Sequence, residues 1–99
     1  MSEQQATTVR NDDAARYEYR ADRDVLGYID FRLEGDATVL VHTEVPEEFR
    51  GTGIARELAA GALKDLAYRD AVVVPVCPYL ARYLHRCESC EVEVRWPQR

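Results

Sequence analysis

Apolar and polar residues alternate with a period of two over three successive stretches, the pattern of half-buried strands. In the first, Tyr17, Tyr19 and Ala21 interleave with Arg16, Glu18 and Arg20. In the second, Gly27, Ile29, Phe31 and Leu33 share one face of residues 25–33, with Tyr28, Asp30 and Arg32 on the other. In the third, residues 37–45, Val39, Val41, Thr43 and Val45 alternate with Leu40, His42 and Glu44. Asp22-Arg23-Asp24 and Glu34-Gly35-Asp36 carry the turn residues between them. Three strands joined this closely predict an antiparallel meander. Pro46 ends the third, because it has no amide to continue a ladder.

After residue 53 the period changes. Ala55, Leu58, Ala59, Ala62, Leu63 and Leu66 fall on one stripe, which predicts an amphipathic helix. Its alanines let it lie close on a sheet. The run Ala71-Val72-Val73-Val74-Pro75-Val76 reads as a strand buried on both faces, as in a parallel pair. Strand, helix and strand make a crossover unit. Pro78 suits the first turn of a short second helix, with Tyr79, Leu80, Tyr83 and Leu84 on its apolar side. Residues 91–96 alternate again and suggest a final edge strand. Residues 1–15 show no useful period and read as a frayed, disordered tail. The expectation is an α+β fold: one domain over residues 16–99, with a three-strand meander, a crossover helix, a buried parallel strand and a short C-terminal helix.

At 99 residues the chain has room for one core. No apolar run approaches the ~20 residues of a membrane-spanning helix. The first residues are neither basic nor apolar, so no signal peptide is expected and the expected compartment is the cytoplasm. A formal charge of −5 argues against a broad nucleic-acid surface, while leaving room for a local anion site. Cys77, Cys87 and Cys90 are too few and too clustered for a secreted disulfide scaffold and are expected as thiols. Cys87-Glu88-Ser89-Cys90 is half of a zinc signature, with His85 beside it and Cys77 further off. Metal and redox readings both remain, behind incidental thiols.

The segment Arg50-Gly51-Thr52-Gly53-Ile54-Ala55 lies between a strand and a helix. Glycines there allow a tight turn and close backbone approach to a ligand. The unpaired amides of the following helix turn, with the Arg50 guanidinium, suit phosphate or pyrophosphate. No Gly-Lys-Ser/Thr follows and the three-glycine dinucleotide spacing is missing, so neither common nucleotide motif applies. On spacing alone, a plain loop with two permissive glycines fits equally well.

The same segment resembles the Arg/Gln-x-x-Gly-x-Gly/Ala motif of the GNAT superfamily of N-acetyltransferases, at Arg50, Gly53 and Ala55. His42-Thr43-Glu44-Val45-Pro46 and Cys77-Pro78 look like one small-chain subgroup of that superfamily, and the shared stretch runs from about Tyr17 to Tyr83. The resemblance implies acetyl-CoA as cosubstrate, its pantetheine lying where two strands splay apart. It implies cofactor contacts at Val45, Arg50, Gly51, Thr52, Gly53, Ile54, Ala55, Pro78 and Tyr79. Arg82 and Arg86, four apart, could reach CoA phosphates, although arginines so spaced are more often simply solvated. The chain departs from the wider family in lacking helices between its first strands, and from the subgroup in its Cys87-Glu88-Ser89-Cys90 ending.

For acetyl transfer, His42 would take the amine proton, with Glu44 on the same strand face orienting it. Cys77, at a helix start, would be a candidate acyl carrier. Tyr83 resembles the tyrosine that protonates the CoA thiolate. Each has a plain structural reading too: a half-buried strand histidine, a solvated glutamate, a small buried cysteine, a packed tyrosine. The function expected is acetyl transfer to a primary amine within a ternary complex, by a monomer or homodimer that binds neither nucleic acid nor membrane. A non-enzymatic acyl-CoA-binding module and a small cysteine-based metal or redox domain are the alternatives.

Overall fold

The computed structural model describes residues 6–97. Its centre is a six-stranded sheet whose strands lie in chain order. Strands β1 (Ala6–Asn11), β2 (Arg16–Ala21), β3 (Asp24–Glu34) and β4 (Ala37–Glu44) are antiparallel neighbours. A short 3-10 turn (Glu47–Phe49) leads to helix α1 (Ile54–Tyr68). Strand β5 (Val72–Pro75), helix α2 (Pro78–Arg86) and the two-residue strand β6 (Glu93–Val94) complete the chain. β5 runs parallel to β4 and β6 parallel to β5. The mixed α+β architecture is the one expected.

The meander has four strands rather than three. Residues 6–11, expected within the tail, form β1, in register from Ala6 opposite Ala21 to Asn11 opposite Arg16. An edge strand contributes few apolar side chains, and Val9 alone left no period to read. Residues 1–5 of the expected tail lie outside the described residues. β1 is held from above as well: a Cβ at Gly61 of α1 would fall 2.5 Å from Thr8 Oγ1, so the missing side chain admits Thr8 against the helix.

The stripe of α1 is buried nearly as patterned, at Ile54, Leu58, Ala59, Ala62, Leu63 and Leu66. It meets Tyr17, Ile29, Phe31 and Leu40 of the sheet, and Leu80 and Leu84 of α2 join the same cluster. Ala55, half-exposed, is left at the helix start. Two buried polar groups are fully satisfied. The Tyr17 hydroxyl donates to Asp65 Oδ2 (2.7 Å) and accepts from Arg10 Nη1 (3.0 Å), tying β1, β2 and α1 together. Burial, then the Asp65 hydrogen bond, pushes the Tyr17 phenol well above its usual range. Glu18, patterned as a solvent-facing residue, is 2% exposed. Its carboxylate accepts from Arg16 Nε at 2.6 Å, Arg20 Nε at 2.7 Å and Asn11 Nδ2 at 3.1 Å.

The feature that makes a site is a fork in the sheet. β4 and β5 pair from Ala37 opposite Val72 only as far as Leu40 opposite Pro75. There the amides of Val76 and Cys77 both donate to the Leu40 carbonyl, at 3.0 and 2.9 Å, and the strands part. β4 continues to Glu44 with β3 as its one neighbour among the described residues, so over residues 41–44 its backbone groups pointing away from β3 have no ladder partner there.

Candidate functional site

The fork opens into a cleft of about 440 Å³. One wall is the far end of β4, with His42, Thr43, Glu44 and Val45. The other is the loop and first turn of α1, with Phe49, Arg50, Gly51, Gly53, Ile54, Ala55 and Arg56. Tyr79 of α2 closes one end.

The loop has the geometry that its glycines suggest. Gly51 (φ +80°) and Gly53 (φ +88°) are both left-handed, and a Cβ at either would meet no atom within 4 Å. Gly53 is the N-cap of α1 and accepts the amide of Glu57 at 3.0 Å. The amides ahead of Glu57 at the helix start have no intrahelical acceptor and carry the positive end of the helix dipole. With Arg50 beside them, the loop offers open space, backbone donors and one guanidinium, which is the chemistry a pyrophosphate needs. Thr52 turns its hydroxyl back to the Phe49 carbonyl and does not line the cleft. Gly27 of β3 supports the opposite wall: a Cβ there would fall 3.2 Å from the Glu44 carbonyl oxygen and from Val45 Cγ2.

Residues directly opposite across an antiparallel pair share a face. Thr43 lies opposite Ile29, which is buried in the helix-covered core; His42 and Glu44 lie opposite Asp30 and Tyr28 on the other face. His42 Nε2 and Glu44 Oε1 are 2.9 Å apart, as the shared-face reading requires, and both side chains are about half exposed. If Nε2 donates to Glu44, the tautomer is set and Nδ1 keeps its lone pair. The cleft thus lies between the His42–Glu44 pair on one side and the glycine loop on the other.

The remaining candidates separate into two groups. Cys77 is 4% exposed, belongs to the hydrophobic core and does not line the cleft. Pro78 occupies the first turn of α2, as expected, and is likewise outside the cleft lining. Tyr83, Arg82 and Arg86 line a neighbouring cavity of about 580 Å³, which meets the cleft at Arg56 and Tyr79. Tyr79 and Tyr83 lie with ring centroids 6.5 Å apart, and Tyr79 rather than Tyr83 reaches the cleft. Burial, then the neighbouring Tyr83, raises the Tyr79 phenol above its ordinary value against the opposing pull of Arg56 and Arg82, so it is protonated at neutral pH. Phe49, Thr43 and Arg56 are cleft residues that the sequence reading passed over. Arg56 was visible only as a polar residue off the helix stripe, with nothing to say which cavity it would border.

Cys87 and Cys90, expected as thiols, form a disulfide with Cα atoms 5.7 Å apart. Cys87 is the C-cap of α2 in an extended conformation, which turns the chain so that Cys90 returns to it. Cys77 remains free in the core, and His85 stacks on Trp96 with centroids 4.1 Å apart. Among the described residues no group of three or more His, Cys, Asp or Glu could hold a metal ion, and no helix is long and apolar enough to cross a membrane.

A forked sheet with a glycine loop at the head of its crossover helix is the arrangement that the acetyltransferase resemblance implied. The family model described as GCN5-related N-acetyl-transferase matches residues 16–92, and the chain belongs to that family. Protein NATD1 of Xenopus tropicalis is 42% identical over 64 residues, 64% of this chain and 56% of the frog protein. Protein NATD1 of Homo sapiens is 42% identical over 45 residues, 46% of this chain and 40% of the human protein. The matched part of the chain thus spans about half or less of these relatives' length.

Proposed function

We propose that this protein transfers the acetyl group of acetyl-CoA to a primary amine, directly and within a ternary complex. The observation that carries this reading is the fork, which sets the Gly51–Gly53 loop on one side of the cleft and the His42–Glu44 pair on the other. The loop amides and Arg50 hold the pyrophosphate, and the unpaired β4 backbone over residues 41–44 supplies hydrogen bonds to pantetheine and to the thioester oxygen. The amine enters from the helix-free face, beside Asp30, Glu44 and His42. His42 Nδ1 takes its ammonium proton, with Glu44 holding the imidazole. The freed nitrogen lone pair then forms the C–N bond as the C–S bond breaks, Tyr79 gives a proton to the departing sulfur, and the surplus proton on the new amide nitrogen passes through solvent to restore the Tyr79 phenol. Cys77, buried and outside the cleft lining, takes no part.

Calorimetric titration of the protein with acetyl-CoA tests the cofactor half, with Gly53→Glu as the variant. The expected result is binding by the wild type and none by a folded Gly53→Glu protein, whose carboxylate would stand against the pyrophosphate. Equal affinity in both would remove the loop from the site. A panel of primary amines tests transfer: turnover lost by about a hundredfold in His42→Gln supports the base. Tight binding with no turnover on any amine would favour an acyl-CoA-binding module instead.

A further inference from the structure

The Cys87–Cys90 disulfide takes no part in the proposed transfer, and its surroundings suit a chemistry of their own. Both cysteines are half-buried, while Glu88 and Ser89 between them are exposed. The loop that the bond closes is short, so chain entropy supports it less than it would a long-range bridge. Accessible disulfides are the kind that exchange with thiols, unlike the inert structural kind. Two cavities meet at this bond, and they differ in charge. The first, of about 580 Å³, is lined by Arg56, Arg82 and Arg86 with Tyr79 and Tyr83, and it borders Cys87 but not Cys90. The second, of about 530 Å³, borders both cysteines, and its charged residues are Lys64, Asp70 and Glu91. None of the three arginines is ion-paired among the described residues, although the chain carries a formal charge of −5. Arg82 and Arg86 are four apart on α2, a like-charge spacing that an anion between them relieves. An anionic ligand is therefore drawn to the arginine side, and the sulfur it meets there belongs to Cys87.

We propose that Cys87 and Cys90 are a redox-active pair that exchanges with an anionic low-molecular-weight thiol of the glutathione class, seated in the arginine cavity. Its carboxylates pair with the guanidiniums, and its thiolate attacks Cys87 Sγ. A new S–S bond forms at Cys87 as the Cys87–Cys90 bond breaks, and Cys90 leaves as a thiolate that takes a proton from water. A second thiolate then attacks the small-molecule sulfur of this mixed disulfide, and Cys87 leaves and is protonated in turn. Two small thiols are thereby oxidised to one disulfide, while the protein pair gains two electrons and two protons. The reverse sequence restores the bond. This exchange uses neither the glycine loop nor the His42–Glu44 pair, so it stands apart from the acetyl-CoA reading.

The test is the rate at which the oxidised full chain is reduced, read by quenching with iodoacetamide and measuring intact mass. Glutathione and the neutral 2-mercaptoethanol are compared at equal thiolate concentration, each rate divided by its rate on the urea-unfolded chain. The folded protein should favour glutathione by about tenfold, the low end of electrostatic steering into a cavity of one sign. An Arg82→Ala/Arg86→Ala variant should lose that preference; both positions are exposed, so it is expected to fold. Oxidised glutathione should also label Cys87 in Cys90→Ser faster than it labels Cys90 in Cys87→Ser, as peptide mapping reads. Equal folded-state rates for the two thiols overturn the proposal, and the wild-type comparison needs no variant to show it. A glutathione preference that survives removal of both arginines overturns it too, as does faster labelling of Cys90. A reduction rate that does not rise with thiol concentration also overturns it, because the bond would then open only on unfolding.

Discussion

The Sγ of Cys77 lies 3.3 Å from Thr43 Oγ1, beneath the fork of the sheet and inside the core rather than in the cleft. Thr43 is a cleft residue, so Cys77 is one side chain removed from it. A thiol in that position packs as a small hydrophobe with one weak hydrogen bond. Cys77→Ala is therefore expected to keep kcat within about threefold while costing about 1 kcal/mol of stability. Steady-state kinetics with intact-mass measurement of the acetyl-CoA-treated protein checks both sides. An acetyl adduct on Cys77 that disappears on adding amine would replace direct transfer with a covalent route.

Gly61 sets two known effects against each other. Alanine in a helix interior is favoured over glycine by about 1 kcal/mol. Here the added Cβ would sit 2.5 Å from Thr8 Oγ1 and 2.6 Å from Thr8 Cβ, atoms next to the backbone of a β-branched residue that cannot swing aside. Gly61→Ala is expected to be destabilising, by about 1–2 kcal/mol net of the propensity gain. Thr8→Gly/Gly61→Ala, which removes both contacts, should show a favourable coupling of about 1 kcal/mol in a urea-unfolding double-mutant cycle. Additive losses would mean that β1 does not pack on α1 through this pair.

The contrast between α1 and β1 shows what the sequence makes legible. The helix stripe and the β-branched run of β5 each bury a repeating set of side chains, so each leaves a period that can be read locally. β1 owes its place to backbone pairing with β2 and to a glycine fifty-odd residues away, neither of which leaves a period. Glu18 reads as an outward residue because alternation alone decides its face; its burial comes from Arg16, Arg20 and Asn11 folding over it. The candidate loop is contiguous in sequence and was therefore visible, whereas the arginine cavity exists only where α1 and α2 meet. The fork itself depends on where β4 and β5 stop pairing, and that register is a property of the assembled sheet.

Glu18 makes stability depend on acid in a stated direction. Burial alone would raise its pKa, but hydrogen bonds from Arg16, Arg20 and Asn11 win and hold it below the ordinary glutamate value of 4.5. A carboxylate depressed on folding contributes stability that is present above the unfolded value and lost as pH falls through the folded one. Asp65, lowered by Tyr17 and Arg69 against its own desolvation, acts in the same sense. Stability should therefore fall from about pH 5 downward. Glu18→Gln should lower neutral-pH stability by about 2 kcal/mol, by leaving two arginines without their anion, and should flatten the acid slope. A variant with an unchanged slope would show that Glu18 does not titrate between the folded and unfolded states.

The Cys87–Cys90 disulfide lies at the joint between α2 and the last strand, and its removal is expected to act there first. The loop it closes is short, with a sequence separation of 3, so chain-entropy arguments give it only about 2 kcal/mol. For a domain this small that corresponds to a fall in Tm of roughly 10 °C. Beyond the disulfide, β6 is two residues long and is tethered by the Arg95 amide to the Val73 carbonyl at 2.8 Å and by Trp96 stacked on His85. Cys90 packs against the core, so reduction frees the segment that presents β6 to β5. The Arg95 amide should then exchange with solvent well before the amides of β2 and β3, whose pairings lie at the far side of the sheet. Hydrogen exchange of the full chain, with and without excess dithiol, reads this directly. A uniform rise in exchange across every strand would mean instead that the disulfide supports the whole domain, and unchanged protection at Arg95 would mean that β5 holds the last strand without it.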